Sequence, residues 1–136
     1  MYLLDTNIVS ELRKRKPHGG VTAWFVAHPL VQSRMSSVSF YELQAGTERT
    51  RRQDPAKADE LDSWIQKVES SITVLPFGTL EARMAAHLMR RHSDDLLFDA
   101  MIAATAIVHS LTVATRNTRD FAHFDVPLVD PFELKS

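Results

Sequence analysis

Three carboxylates stand where a bare charge is awkward to keep. Asp5 closes the apolar run Tyr2-Leu3-Leu4, Glu42 lies within a helical stripe of Val38, Tyr41 and Ala45, and Asp99 opens an apolar run that continues to Val108. Thr115, Asn117 and Asp120 follow the short run "LTVA". Taken singly, Asp5 is a good helix cap, and Asp99 in a first helical turn gains about 0.3–1 kcal/mol from the helix dipole. Glu42 resists such an explanation, because an unpartnered carboxylate turned toward a core is costly. If the chain gathers these acids, two carboxylates about 4 Å apart repel by roughly 4 kcal/mol at an effective dielectric near 20. A hard divalent cation relieves that repulsion, and Mg2+ or Mn2+ prefers carboxylate and water oxygens. Such an ion stabilises charge on a phosphate and activates water, which a nearby carboxylate can orient or deprotonate. The expected reaction is metal-assisted hydrolysis of a phosphodiester.

Residues so far apart in sequence meet only if the elements bearing them share an edge. Tyr2-Leu3-Leu4 reads as a strand, followed by a helix from Asn7 to about Lys14 that Asp5 or Thr6 caps. Val21 to Val26 forms a second short helix ended by Pro29, Val31 to Ser36 a strand, and Val38 to about Arg49 a helix. Beyond Pro55, the spacing of Leu61, Trp64, Ile65 and Val68 predicts an amphipathic helix. "ITVLP" is a strand closed by Pro76, and Leu80, Met84, Ala85 and Leu88 form a helix that frays near "RRHSDD". "LFDAMIAATAIVHS" is a helix with Asp99, Ile102, Ala103 and Ala106 on one face, and "LTVAT" a strand. "RNTRDFAHF" is a turn or short helix and "VPLVDP" a last strand. Strands alternating with helices, each strand too apolar for a wet face, give an α/β fold with a mostly parallel, doubly covered sheet. Ligands in such sheets bind beyond the carboxyl ends of the strands, which is where Asp5, Glu42, Asp99, Thr115, Asn117 and Asp120 belong.

Composition narrows the partners. A chain of 136 residues suits one domain, residues 1–136. Its 16 basic and 17 acidic residues nearly balance, which argues against coating nucleic acid by bulk charge. With no cysteine there is neither a disulfide framework nor a thiolate metal site, a composition suited to the cytoplasm. The start lacks a basic segment and carries an acid at position 5, unlike a secretory signal. The longest apolar stretch, Ala100 to Val108, is too short for a bilayer, so no membrane role is expected. The six histidines show no ligand spacing and read as surface or capping groups.

Three blocks carry a family resemblance: "LLDTNIVSEL", "SSVSFYELQAG" and "FDAMIAATAIVHSLTVATRNTRDF". In this order and spacing the chain resembles the PIN-domain ribonucleases, most closely the VapC and FitB toxins of bacterial toxin–antitoxin pairs. The resemblance implies a three-layer α/β/α domain that cuts RNA with Mg2+ or Mn2+. It implies that Asp5, Glu42 and Asp99 are the metal-binding acids and that Asn7 and Thr115 hold these carboxylates or the attacking water. Many members carry Asp directly after "TR"; here that place is Asn117, with Asp120 three residues later. Asn117 orients through its amide without adding charge, and Asp120 is taken as a catalytic acid. Asp94 and Asp95 read as a solvated loop.

RNA must be met by cations. Candidate clusters are "RKRK" at 13–16, "RTRR" at 49–52, Arg90-Arg91, and Arg116 with Arg119, and the last pair flanks the strand-end site. The resemblance implies tRNA or ribosomal RNA as substrate, a homodimer, and a VapB-like antitoxin that inhibits the nuclease and supplies DNA binding. Trp24, Phe25 and Trp64 are candidates for a partner surface, with the core the expected home of at least two. A haloacid-dehalogenase-like phosphatase also begins with a strand ending in Asp but needs a second Asp two residues on, where this chain has Asn7. The alternative function is a catalytically impaired domain that only binds RNA or protein, which Asn117 favours.

Overall fold

The structure, a computed structural model, describes residues 1–133. Its strands are β1 (Tyr2–Leu4), β2 (Ser33–Ser36), β3 (Thr73–Leu75), β4 (Thr112–Ala114) and β5 (Leu128–Val129). Its helices are α1 (Thr6–Leu12), α2 (Gly19–Ala27), α3 (Ser37–Arg51), α4 (Pro55–Ser71), α5 (Thr79–Leu88), α6 (Leu97–Val108) and α7 (Thr118–Phe121). The strands pair in the order β3-β2-β1-β4-β5, every pairing parallel.

Alternation along β1 splits the interior into two layers of packing. Leu3 points into one cluster with Ile102, Ala103 and Ala106 of α6, Val113 of β4, and Phe121 and Phe124. Leu4 points into the other with Ile8 and Val9 of α1, Val21 and Trp24 of α2, and Met35 of β2. Helices therefore cover both faces, giving the expected α/β architecture with a parallel sheet. The small residues of α6 permit this: Ala100, Ala103, Ala104 and Ala106 are fully buried and bring the helix close to the sheet. Arg51 at the end of α3 pairs with Asp59 and Asp62 of α4 and fastens the two helices together. Among the described residues no helix is long and apolar enough to cross a membrane.

The element expectations hold in order, with local shifts. The strand expected over Val31 to Ser36 starts at Ser33, because Leu30–Gln32 form a 3-10 turn after Pro29 and Val31 is exposed. That strand, Ser-Arg-Met-Ser, is not apolar; its buried Ser36 serves instead as the cap of α3, accepting the Val38 amide at 3.1 Å. The first helix ends at Leu12 rather than Lys14, and Thr118–Phe121 is a helical turn continued by a 3-10 turn to Phe124.

Candidate active site

The register of β1 against β4 sets the first contact of the site. Leu4 pairs with Ala114, so the next residues, Asp5 and Thr115, leave the sheet side by side. The Asp5 amide still donates to the Ala114 carbonyl at 2.9 Å, and the Thr115 hydroxyl donates to Asp5 Oδ2 at 2.7 Å. Asp5 also caps α1, with Oδ1 accepting the Thr6 amide at 2.8 Å. The side-chain amide of Asn7 adds a donor 3.2 Å from Oδ2. Asp5 is thus both a cap and a member of the site, its carboxyl held by one donor from the end of β4 and two from the start of α1.

Glu42 lies on α3, beyond the end of β2, and is half-buried. The Thr6 hydroxyl donates to Glu42 Oε1 at 2.8 Å, so one short stretch, Asp5-Thr6-Asn7, touches two acids. Asp99 enters from the first turn of α6. Asn117 Nδ2 stands 3.3 Å from Asp99 and 3.0 Å from Asp120, and the Asn117 amide donates to Thr115 Oγ1 at 2.9 Å. A continuous chain of hydrogen bonds therefore runs from Asp5 through Thr115 and Asn117 to Asp99 and Asp120.

These side chains open into one cavity of about 530 Å³ lined by Asp5, Glu42, Asp99 and Asn117 on its acidic side. Burial pushes the Asp5 carboxyl above its ordinary range, against the lowering effect of the Thr115 and Thr6 hydrogen bonds. Burial also raises Glu42, with the charge of Asp5 adding to it. Asp99 is pushed up to about 7, first by desolvation and then by the charges of Asp5, Asp120 and Glu42. Among the described residues none of these acids has a Lys or Arg in salt-bridge contact. The donor set is all oxygen, crowded and short of cations, which fits a hard dication. Among the described residues no three Asp, Glu, His or Cys side chains close on one point as a finished metal cage. One or two of the acids as direct ligands, with water at the other positions, is the arrangement Mg2+ favours.

Arg13, Lys14 and Arg116 line the cavity too, with the buried Glu11 pairing Lys14 at 2.9 Å, and the Arg116 guanidinium lies 4.4 Å above the ring centre of Phe132. Thr6, Ser10 and Arg13 follow the i, i+4, i+7 spacing of one helical face, the periodicity that brings the start of "RKRK" into the site. Arg13 belongs to the "RKRK" cluster considered for RNA, whereas Ser10 and Phe132 have no counterpart in the sequence reading; the helical spacing points to Ser10, and no local pattern marks Phe132. Arg119 is exposed and does not line the cavity. Asp120 is outside the lining too, and it is tied to the site by Asn117 and by its charge on Asp99. Asp94 and Asp95 are exposed, as expected of a solvated segment.

Tyr41 departs from expectation. It was placed on the apolar stripe of α3, yet it is 62 % exposed and stacks on Phe98 with ring centres 5.5 Å apart. The residues before Glu42 and Asp99 meet on the surface because the acids themselves turn into the cavity. Trp24 is buried in the core, whereas Trp64 lines an apolar groove.

Fold and site together define an α/β domain that gathers acids from three separate segments beyond the carboxyl ends of a parallel sheet. The PIN domain model matches residues 2–127, and the chain belongs to that family. It is 33 % identical to VapC ribonuclease Y4jK of Sinorhizobium fredii, with 98 % of this chain and 99 % of that protein covered. It is also 33 % identical to toxin FitB of Neisseria gonorrhoeae, over 97 % of this chain and 99 % of the toxin. The crystal structure of FitAcB from the same organism matches with a TM-score of 0.84 at 31 % identity, covering 98 % and 100 % of the two chains. FitAB bound to an IR36 DNA fragment gives 0.83 at 29 % identity, covering 100 % and 99 %.

Proposed function

We propose that this protein is the toxin of a toxin–antitoxin pair, a metal-dependent endoribonuclease that hydrolyses phosphodiesters of tRNA or ribosomal RNA. The observation that carries the reading is the meeting of Asp5, Glu42 and Asp99 in one cavity that Arg13 and Arg116 also line. Carboxylates alone would repel RNA; with a dication between them the same wall attracts a phosphate. Asp5, Asp99 and Glu42 would hold Mg2+ or Mn2+, which when bound stabilises charge on the phosphate and activates water. Thr115 and Asn7 fix the orientation of Asp5, and Thr6 that of Glu42. Asn117 aligns Asp99 and Asp120, and Asp120, outside the cavity lining, acts on the site through that amide and through its charge on Asp99. Arg116 neutralises a phosphate next to the cut, and the exposed Arg119 meets one farther out.

The relatives named VapC ribonuclease and FitB toxin support this reading. The FitAcB and DNA-bound FitAB structures support an antitoxin partner that also supplies contact with DNA. For that partner the apolar groove of about 210 Å³ lined by Leu4, Val9, Leu12, Leu30, Trp64 and Val68 is the fitting surface. The exposed stacked pair Tyr41 and Phe98, with Leu97, suits contact with a second copy in a homodimer.

Induced expression tests the reading. Wild type should arrest growth and generate new RNA 5′ ends at a defined site, while Asp5→Asn and Asp99→Asn should do neither and remain folded. A fully toxic double variant would refute it.

A further inference from the structure

A second cavity, of about 410 Å³, lies outside the acid site between the ends of α5 and α6 and the turn after α7. Five side chains of one chemical character converge on it: His87, Arg90, Arg91, His92 and His123. Four lie in the single stretch 87–92 and the fifth, His123, comes from the turn after α7, so the sequence alone does not show that they meet. Asp125 is the only carboxylate among the described residues that line it. Arg91 has no carboxylate partner among the described residues, and Arg90 donates to the His87 carbonyl at 2.7 Å, holding its guanidinium at the mouth. The His92 ring lies 5.2 Å from the His123 ring and 5.5 Å from that of Phe124, centre to centre, forming an aromatic wall. Among the described residues these histidines do not form a set that holds a metal ion.

Two guanidinium groups against one carboxylate favour an anion, and their planar forks match phosphate. The imidazole faces of His92 and His123, backed by the buried Phe124, offer a stacking surface for a nucleobase. The volume lies in the range of small-ligand sites, about 300–1,000 Å³. The α6 residue that lines the cavity, Ile107, stands eight residues, about 12 Å, along the helix from Asp99, within the span of a few nucleotides. We propose that this cavity binds a phosphate-bearing ribonucleotide unit, with Arg90 and Arg91 on the phosphate and the base against His92 and His123. Its use for a flanking nucleotide of the RNA rests on the ribonuclease reading; nucleotide binding itself does not.

Imidazole proton resonances of the full chain, titrated with adenosine 5′-monophosphate and separately with inorganic phosphate, test the proposal. The monophosphate should shift the His92 and His123 signals saturably, leaving His28, packed between Tyr2 and Trp24, as an internal reference. Arg90→Ala with Arg91→Ala should weaken that binding by about tenfold or more, the loss expected for charge-assisted hydrogen bonds. In an RNA cleavage assay, the same variant should raise KM severalfold at unchanged kcat if the unit belongs to the substrate. Shifts without a KM change assign the cavity to a nucleotide unconnected with cleavage, which keeps the binding claim and overturns the substrate claim. No selective shift, or shifts indifferent to both arginines, overturns the proposal. A wild type that binds the nucleotide yet cleaves no RNA refutes the ribonuclease reading alone.

Discussion

The side-chain amide of Asn117 stands 3.3 Å from the Asp99 carboxylate. The residue found where a fourth acid was expected is thus a donor to the third acid, and it reaches Asp120 as well. An Asp in its place would put a further charge against a carboxyl already raised by its neighbours. Asn117→Asp should therefore destabilise the metal-free protein by about 1 kcal/mol, or about 3–5 °C in Tm. Saturating Mn2+ should recover most of that difference. Thermal melts with and without Mn2+ check this, and an unchanged metal-free Tm would contradict it.

Asp99 makes stability depend on pH. Its folded value of about 7 lies above the ordinary 3.8, so the folded protein binds the proton more tightly than the unfolded chain. Its contribution is fully present below 3.8, is lost progressively as pH rises through the folded value of about 7, and stays lost above it. Screening at a half-buried carboxyl reduces the effect to about 1–2 kcal/mol. Asp99→Asn should raise the metal-free Tm by about 3–6 °C at alkaline pH and hardly at all in acid. Melting curves across that range measure the difference; an equal shift at every pH would count against the charge-based cause.

Thr115 orients Asp5 through a 2.7 Å hydrogen bond in a fully buried setting. Thr115→Val keeps the shape and removes the donor. The expected cost is about 1–2 kcal/mol of stability. A misoriented Asp5 should also lower RNA cleavage by about tenfold or more, in kcat rather than KM. Thr115→Ser, which restores the hydroxyl, should recover the rate. Failure of Ser to rescue would show that packing, not orientation, was lost.

The apolar groove gives a separable effect. Leu12 is partly exposed beside Trp64 and Val68, away from the acids. Leu12→Glu places a charge in that groove and should weaken antitoxin binding by about 2 kcal/mol or more. Cleavage of RNA by the isolated protein should persist. Calorimetry with the antitoxin encoded alongside measures the first, and a labelled RNA assay the second.

Much of this was legible because two regular rules place most of the site. Asp5 and Thr115 end apolar strands, and a parallel sheet delivers strand ends to one edge, so their meeting follows from the order of elements. Asp99 opens an alanine-rich helix whose small side chains seat it on the sheet. Tyr41 was misplaced because helical periodicity cannot tell a core stripe from a surface one when a neighbour, here Phe98, supplies the contact. The histidine and arginine cavity escaped because its members depend on how a helix end, a loop and a turn approach in space. Arg51, one of the cations considered for RNA, is instead occupied by Asp59 and Asp62, a pairing across two helices with no local sign in "RTRR".

Mn2+ binding, followed by water-proton relaxation on the full chain and on Asp5→Asn and Asp99→Asn, bears most directly on the acid cavity. Wild type is expected to bind Mn2+ saturably and each substitution to weaken binding by about tenfold or more, about 1.4 kcal/mol. Equal Mn2+ affinity in all three proteins would contradict a site in which these carboxylates hold the ion.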